Sequence, residues 1–142
     1  MPENTKLCAE KILEIVPEIM NALRTEMRQQ AKFELTVPQF RVLARLNKSK
    51  TTSSDLAEWI GVSLPSISRM IEILVKRELV NRVSNPRDRR EVSLELTLKG
   101  KNHFLEIKKR AQESFARKIE NLGSDEKLKL ITGLDILNSL KS

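Results

Sequence analysis

Apolar residues recur every three or four positions along most of this chain, and only one stretch breaks that rhythm. From residue 6 to 31, Ile12, Ile15 or Val16, Ile19, Leu23 and Met27 keep helical spacing, with Pro17 set to kink or restart the helix. Thr36-Val37-Pro38 opens a second helix, running to about Asn47, whose apolar positions are Phe40, Val42, Leu43 and Leu46. Residues 48–51 read as a polar connector. A third helix then carries Leu56, Ala57 and Ile60 and stops at Gly61, and a fourth opens at Ser63 with Ile67, Ile71 and Leu74 on one face.

The third and fourth helices form a helix-turn-helix. Ala57 lets the second helix of the pair approach closely, Gly61 can take the positive φ of the turn, and Ile67 fills the angle between the helices. After Leu79 the period changes from helical to alternating. Val80 to Ser84 and Glu91 to Leu96 read as two strands joined by Asn-Pro-Arg-Asp-Arg-Arg, a hairpin with a basic tip. In the second strand Val92, Leu94 and Leu96 face the helices, while Glu91, Ser93 and Glu95 face water.

Thr97 caps a helix from Leu98 to about Leu122 with Phe104, Ile107, Ala111, Phe115, Ile119 and Leu122 in a stripe. Gly123 ends it, and Ser124 caps a last helix carrying Leu128, Ile131, Leu134, Leu137 and Leu140. The fold class that results is mainly α with a small β-hairpin wing. A winged helix-turn-helix over 36–96 lies between terminal helices, 6–31 and 101–142, whose spare apolar faces suit dimerisation, in one unit spanning 1–142. Packing within one chain would use those faces too, and only the presence of such helices at both ends favours the dimer.

Composition sharpens this picture at one point. The chain has 142 residues, 39% hydrophobic and 32% charged, as expected of a soluble, helix-rich protein. Apolar runs are short and no basic segment leads into an apolar one, so neither a spanning helix nor a signal peptide is expected; the single cysteine fits a reducing compartment, and the chain is placed in the cytoplasm. Net charge is +7 and the isoelectric point about 9.8. Much of that excess is local: Arg69, Lys76, Arg77, Arg82, Arg87, Arg89 and Arg90 stand against Glu72, Glu78 and Asp88. Such a cluster on a helix-turn-helix and its wing points to nucleic acid.

In a winged helix the second motif helix enters the major groove and its first turns meet the bases. Those turns hold Ser63, Pro65, Ser66, Ser68 and Arg69. Serine hydroxyls can donate to phosphate or base acceptors, and Arg69 can fork onto guanine. Capping alone would account for Ser63. At the wing, Arg87, Arg89 and Arg90 can reach the minor groove, where negative potential favours them without a base code. Asp88 has the wrong sign for that contact and is read as holding a neighbouring arginine in place. Trp59, the one tryptophan, is assigned to packing against the preceding helix or a strand rather than to stacking on a ligand.

Three stretches, VPQFRVL at 37–43, DLAEWIGVSLPSISRMIEILVKRELVNR at 55–82 and PRDRREVSLELTLKG at 86–100, resemble the MarR family of bacterial winged-helix transcriptional regulators. The likeness spans nearly the whole chain, and its most specific part is the Asp-Arg-Arg wing followed by an alternating strand and Leu-Thr-x-x-Gly. It implies a homodimer with interleaved terminal helices, and two recognition helices on a palindromic operator of double-stranded DNA. Half-sites would then lie about 10 bp, or ~34 Å, apart. It also implies that the serines and Arg69 meet the major groove and that Arg90 is the minor-groove arginine. Many members bind a small phenolic or lipophilic effector between the dimer helices and the winged helix, and Met20, Arg24 and Phe40 lie on segments that would line such a site. Nothing in the sequence identifies the effector.

Some members sense peroxides through a cysteine near the start of the first helix, supported by tyrosine hydroxyls. Cys8 occupies that region, but the chain has no tyrosine, so an inert thiol is the expectation. No metal site, no cofactor and no catalytic arrangement is expected: His-Glu-x-x-His, Cys-x-x-Cys and a Gly-rich phosphate loop are missing, and His103 is the one histidine. Two alternatives remain, an architectural DNA binder indifferent to sequence and a winged helix that binds protein. The basic wing tip speaks against the second.

Overall fold

A hydroxyl stands ready at the start of each helix of the central unit. In the computed structural model, which describes residues 1–29 and 35–140, the elements are α1 (Glu3–Gln29), α2 (Val37–Lys48), α3 (Ser53–Ile60), α4 (Leu64–Lys76), β1 (Val80–Asn85), β2 (Asp88–Leu96), α5 (Leu98–Ile119) and α6 (Ser124–Ser139). The expected last residues of the first helix, 30 and 31, lie outside the described residues. Thr36 accepts the Gln39 N–H at 3.3 Å and Gln39 Oε1 accepts the Thr36 N–H at 3.0 Å, a reciprocal cap that starts α2. Thr52, Ser63 and Thr97 cap one way only, their hydroxyls accepting the N–H of Asp55 at 3.1 Å, of Ser66 at 3.2 Å and of Gly100 at 2.9 Å. Helix α1 continues through Pro17.

Gly61 takes φ +82°, and its N–H and that of Val62 both reach the Ala57 carbonyl, at 2.9 and 3.0 Å. The chain thus turns between α3 and α4 in the left-handed conformation the sequence requires of that glycine. At the other end of α4 the turn is made by a residue with no such preference: Glu78 sits at φ 61°. Its N–H bonds the Val75 carbonyl and that of Leu79 bonds the Leu74 carbonyl, each at 2.9 Å, the paired closure of a Schellman motif.

Strands β1 and β2 pair antiparallel, Val80 opposite Leu96 through Ser84 opposite Val92, after which the register jumps to Asn85 opposite Asp88. The tip is therefore tighter than the sequence implies. Pro86 and Arg87 alone make the turn, and residues 89–91 of β2 bulge out against the single step from Ser84 to Asn85. The polar connector has structure as well: Thr51 exchanges both backbone bonds with Leu94, at 2.7 and 3.3 Å, and adds a bridge at the sheet edge. On β2, Leu94 is fully buried, while Val92, Ser93, Glu95 and Leu96 are half-buried, so the inward and outward faces separate less cleanly than the alternation suggests. Glu95 pairs with Lys50 at 3.2 Å.

The core lies beneath these elements. Val42, Leu43, Leu56, Ile67, Ile71, Leu74, Leu79, Val80, Leu94 and Ile107 are closed to solvent, with Phe104 tilted against Phe40 at 5.2 Å between ring centroids. Gly100, in the first turn of α5, is buried on the backbone of Leu79: a Cβ built on it would lie 2.0 Å from the Leu79 carbonyl oxygen.

The arms differ in kind. In α1 only Met27 is buried, and in α6 nothing is. Helix α5 stops at Ile119, before Leu122, and the cap of α6 is Gly123 rather than Ser124: Gly123 is extended, its carbonyl takes the first helical bond from Lys127 at 3.0 Å, and Glu126 Oε1 accepts its N–H at 3.4 Å. Nor is α6 a single stripe, because Leu130 and Ile136 are exposed beside Leu128, Ile131, Leu134 and Leu140. No helix among the described residues is long and apolar enough to cross a membrane.

Candidate nucleic-acid interface

Burial of Ile67, Ile71 and Leu74 turns the opposite side of α4 outward. Pro65 and Arg69 are exposed one turn apart on that side, and Ser68 is exposed beside them. Arg69 forms no ion pair with another described residue, so its fork of donors is free for an anion or a guanine edge. Ser63 is committed locally: besides taking the Ser66 N–H, its hydroxyl donates to Ser66 Oγ at 2.9 Å. That leaves the hydroxyl hydrogens of Ser66 and Ser68 to donate elsewhere. Ser66 is half-buried, which makes Ser68 the more accessible donor.

The wing is shaped by two side chains that bond forward to the main chain. Asn85 Oδ1 accepts the Arg87 N–H at 2.9 Å, and Asp88 Oδ1 accepts the Arg90 N–H at 3.0 Å. Asp88 thus contacts the backbone of Arg90, within the bulge, and fixes where that residue leaves the strand. Arg87 and Arg90 are exposed at the tip, as is Arg82 further down the hairpin. The Arg89 side chain lies outside the described residues. Recognition helix and wing therefore present arginines from separate elements, while Lys76 is partly neutralised by Glu72 at 3.6 Å on the surface.

Trp59 packs against the preceding helix, one of the two partners expected of it, but the arginines that meet it there were not read from the sequence. The guanidinium groups of Arg41 and Arg45, one turn apart on α2, lie 5.2 and 5.1 Å from the Trp59 ring centroid, so Trp59 joins α3 to the preceding helix through cation–π contact while staying partly exposed. The two arginines at helical spacing facing a lone tryptophan were the available signal. At the head of α4, Val62 and Leu64 are exposed, although a reading by period assigns apolar residues to the core.

A cavity of about 370 Å³ opens between the end of α1 and the start of α2, lined by Arg24, Met27, Arg28, Leu35 and Val37 among others. Of the residues expected near an effector, Arg24 lines it; Met20 and Phe40 are half-buried and pack on the core. Cys8 is exposed, and His103 is occupied within its own helix, its ring Nδ1 donating to the Lys99 carbonyl at 2.9 Å. No cluster of metal-ligating side chains occurs among the described residues.

A helix-turn-helix buttressed by a third helix and followed by an arginine-bearing hairpin defines a winged-helix DNA-binding protein. The sequence profile of the MarR family matches residues 35–92, from the lead into α2 to the middle of β2. YfiV, an uncharacterized HTH-type transcriptional regulator of Bacillus subtilis, is 32% identical over 114 residues, covering 80% of this chain and 71% of that protein. This chain belongs to the MarR family of transcriptional regulators. Its fold is that of a MarR family protein from Bacillus stearothermophilus (TM-score 0.82, 23% identity, 98% of this chain and 96% of that one). RV1404 from Mycobacterium tuberculosis is similar too, with TM-score 0.77 and 25% identity over 100% and 97% of the two chains.

Proposed function

We propose that this regulator is a homodimeric repressor that acts in the cytoplasm on a palindromic operator and is released by a small-molecule effector. The observation that carries the reading is the contrast between a closed winged-helix core and terminal helices that stay largely open, with Met27 the one buried residue of α1 and none in α6. Leu13 on α1 and Ile131 and Leu134 on α6 are 77%, 56% and 54% exposed, and each helix leaves further large apolar residues open to water, as surfaces awaiting a partner do. A second copy, laying its own α1 and α6 across these faces, would cover them and set two recognition helices side by side.

In that dimer Ser66, Ser68 and Arg69 would meet base edges and phosphates in the major groove, Ser63 and Pro65 would position the helix start, and Arg87, Arg89 and Arg90 would lie along the minor groove, with Asp88 holding the wing. Two-fold symmetry gives half-sites ~34 Å apart. The groove beside Arg24 and Arg28 joins arm to winged helix, and a phenolic or lipophilic effector seated there would need to favour the spacing that fits DNA poorly by only ~1–3 kcal/mol.

The test compares fragments flanking the protein's own gene with random duplex of equal length across a range of salt, alongside sedimentation of the free protein. A repressor of this kind sediments as a dimer and prefers one palindromic fragment by ~1,000-fold or more, with a steep salt slope. Equal affinity for every duplex would mean an architectural binder, and no binding at low salt would leave a protein-interaction module.

A further inference from the structure

We propose that Leu64, with Val62 beside it, is a specificity determinant that reads thymine C5-methyl groups in the major groove; this rests on the site-specific DNA binding proposed above. Helix α4 sorts its apolar residues sharply. Ile67, Ile71 and Leu74 are at most 1% exposed, whereas Leu64, at the first position of the same helix, is 48% exposed. Val62, just before the cap, is 38% exposed, and Pro65 follows Leu64 on the surface. Three apolar side chains therefore surround the Ser63 cap at the point where a recognition helix meets the bases. They are not core residues left over at a fraying end. Ser63 and Ser66 hold this turn by two hydrogen bonds, which fixes the direction in which Leu64 and Pro65 leave the helix.

Among the edges that base pairs show in the major groove, the apolar feature is the thymine methyl, and the rest are hydrogen-bond donors and acceptors. A half-exposed leucine gains nothing from those polar edges and would strip water from them. Against a methyl it recovers the apolar burial that the protein alone denies it. Ser68 lies one turn beyond Leu64 on the same flank and Arg69 next to it, so a polar contact on the neighbouring base pair is available to fix the register. The contact class expected at the head of α4 is therefore mixed: a methyl under Leu64, then donors to acceptor edges.

The experiment removes the methyl without touching the protein. Full-length protein selects its preferred duplexes from a randomised pool, and each thymine of the selected half-site is replaced in turn by deoxyuridine. At the thymine under Leu64 the replacement weakens binding about fourfold, the value of one buried methyl, and about fifteenfold when both half-sites are changed. The Leu64→Ala protein binds the thymine and deoxyuridine duplexes equally at that position while keeping the wild-type salt slope, and Val62→Ala narrows the difference. A selected site that tolerates deoxyuridine everywhere, or a Leu64→Ala protein that keeps the full discrimination, overturns the assignment while leaving site-specific binding intact. A pool that yields no enriched sequence overturns site-specific binding itself, and this assignment with it.

Discussion

Changing Gly100 to alanine tests the tightest backbone approach in the fold. Helix propensity alone says the change should help: glycine inside a helix costs about 1 kcal/mol relative to alanine. Geometry says the opposite. The added Cβ would lie 2.0 Å from the Leu79 carbonyl oxygen and 2.9 Å from its carbon. An ordinary contact needs ~1.4 Å more, and neither partner can yield by turning a side chain, because both are backbone. That carbonyl also takes the Thr97 N–H at 3.1 Å, so moving it strains the first turn of α5 as well. Overpacking that moves backbone costs about 3 kcal/mol at the upper end of its usual range. Less the gain in propensity, the net loss is ~2 kcal/mol, or ~4–8 °C in melting temperature for a chain of this size. Thermal or urea unfolding, at matched protomer concentration so that assembly does not enter, measures it. A Gly100→Ala protein as stable as the wild type, or more so, would show that propensity dominates and that the approach is loose.

The left-handed Glu78 gives a change of opposite sign: Glu78→Gly removes the strain of φ 61° and raises stability by about 1 kcal/mol, and a lower midpoint in urea would refute the strain. In DNA binding, Arg90→Ala reduces the salt slope by about one and weakens all sequences alike, whereas Arg69→Ala costs ~1–3 kcal/mol at one base position and relaxes preference there; titration against single-base operator variants separates the two. Leu134→Glu, on the exposed face of α6, shifts sedimentation to the monomer and lowers operator affinity while the circular dichroism of the folded winged helix persists. A dimer that survives this charge would place the interface elsewhere.

The helices were legible because their caps and periods agree. Ser63, Pro65 and the row Ile67, Ile71, Leu74 mark the start and the inner face of α4 independently, and the structure starts the helix one residue after that cap. Gly61 was legible for the same reason, since a glycine between two amphipathic stretches is the usual holder of positive φ. Glu78 was not, because its conformation follows from Leu79 and Leu74 being drawn into the core on either side of it, and nothing in a glutamate signals that. Gly100 was visible as part of a motif but without a cause, which is a carbonyl on a different element. The wing tip was too long in the sequence reading because β2 opens at Asp88 with a bulge, and charged residues out of alternation look like loop when only residue types are read. On α4 charge and hydroxyls stand out and Leu64 does not, since a leucine three residues before Ile67 and seven before Ile71 reads as core and its exposure is visible only in three dimensions.

How the arms could act on the recognition helix follows from where α5 begins. The start of α5 is tied to main-chain carbonyls at the end of α4: Thr97 Oγ1 donates to the Glu78 carbonyl at 2.6 Å, Lys99 Nζ to the Arg77 carbonyl at 3.1 Å, and the Thr97 N–H to the Leu79 carbonyl. Beyond Ala111 the same helix leaves the core and ends with Ile119 exposed. A rotation of the outer half of α5 would reach the C-terminus of α4 through these bonds. Thr97 is the joint, since its one hydroxyl both caps α5 through the Gly100 N–H and holds Glu78. Thr97→Val keeps the shape and removes both bonds. It should lower stability by ~1–2 kcal/mol and weaken operator binding at unchanged salt slope, because the phosphate contacts persist while the angle between recognition helices loosens. Thr97→Ser, which restores the hydroxyl, should behave as the wild type. If Thr97→Val binds the operator as tightly as the wild type despite the stability loss, the joint holds the fold together but carries no information about helix spacing, and coupling must run through α1 and α2 instead.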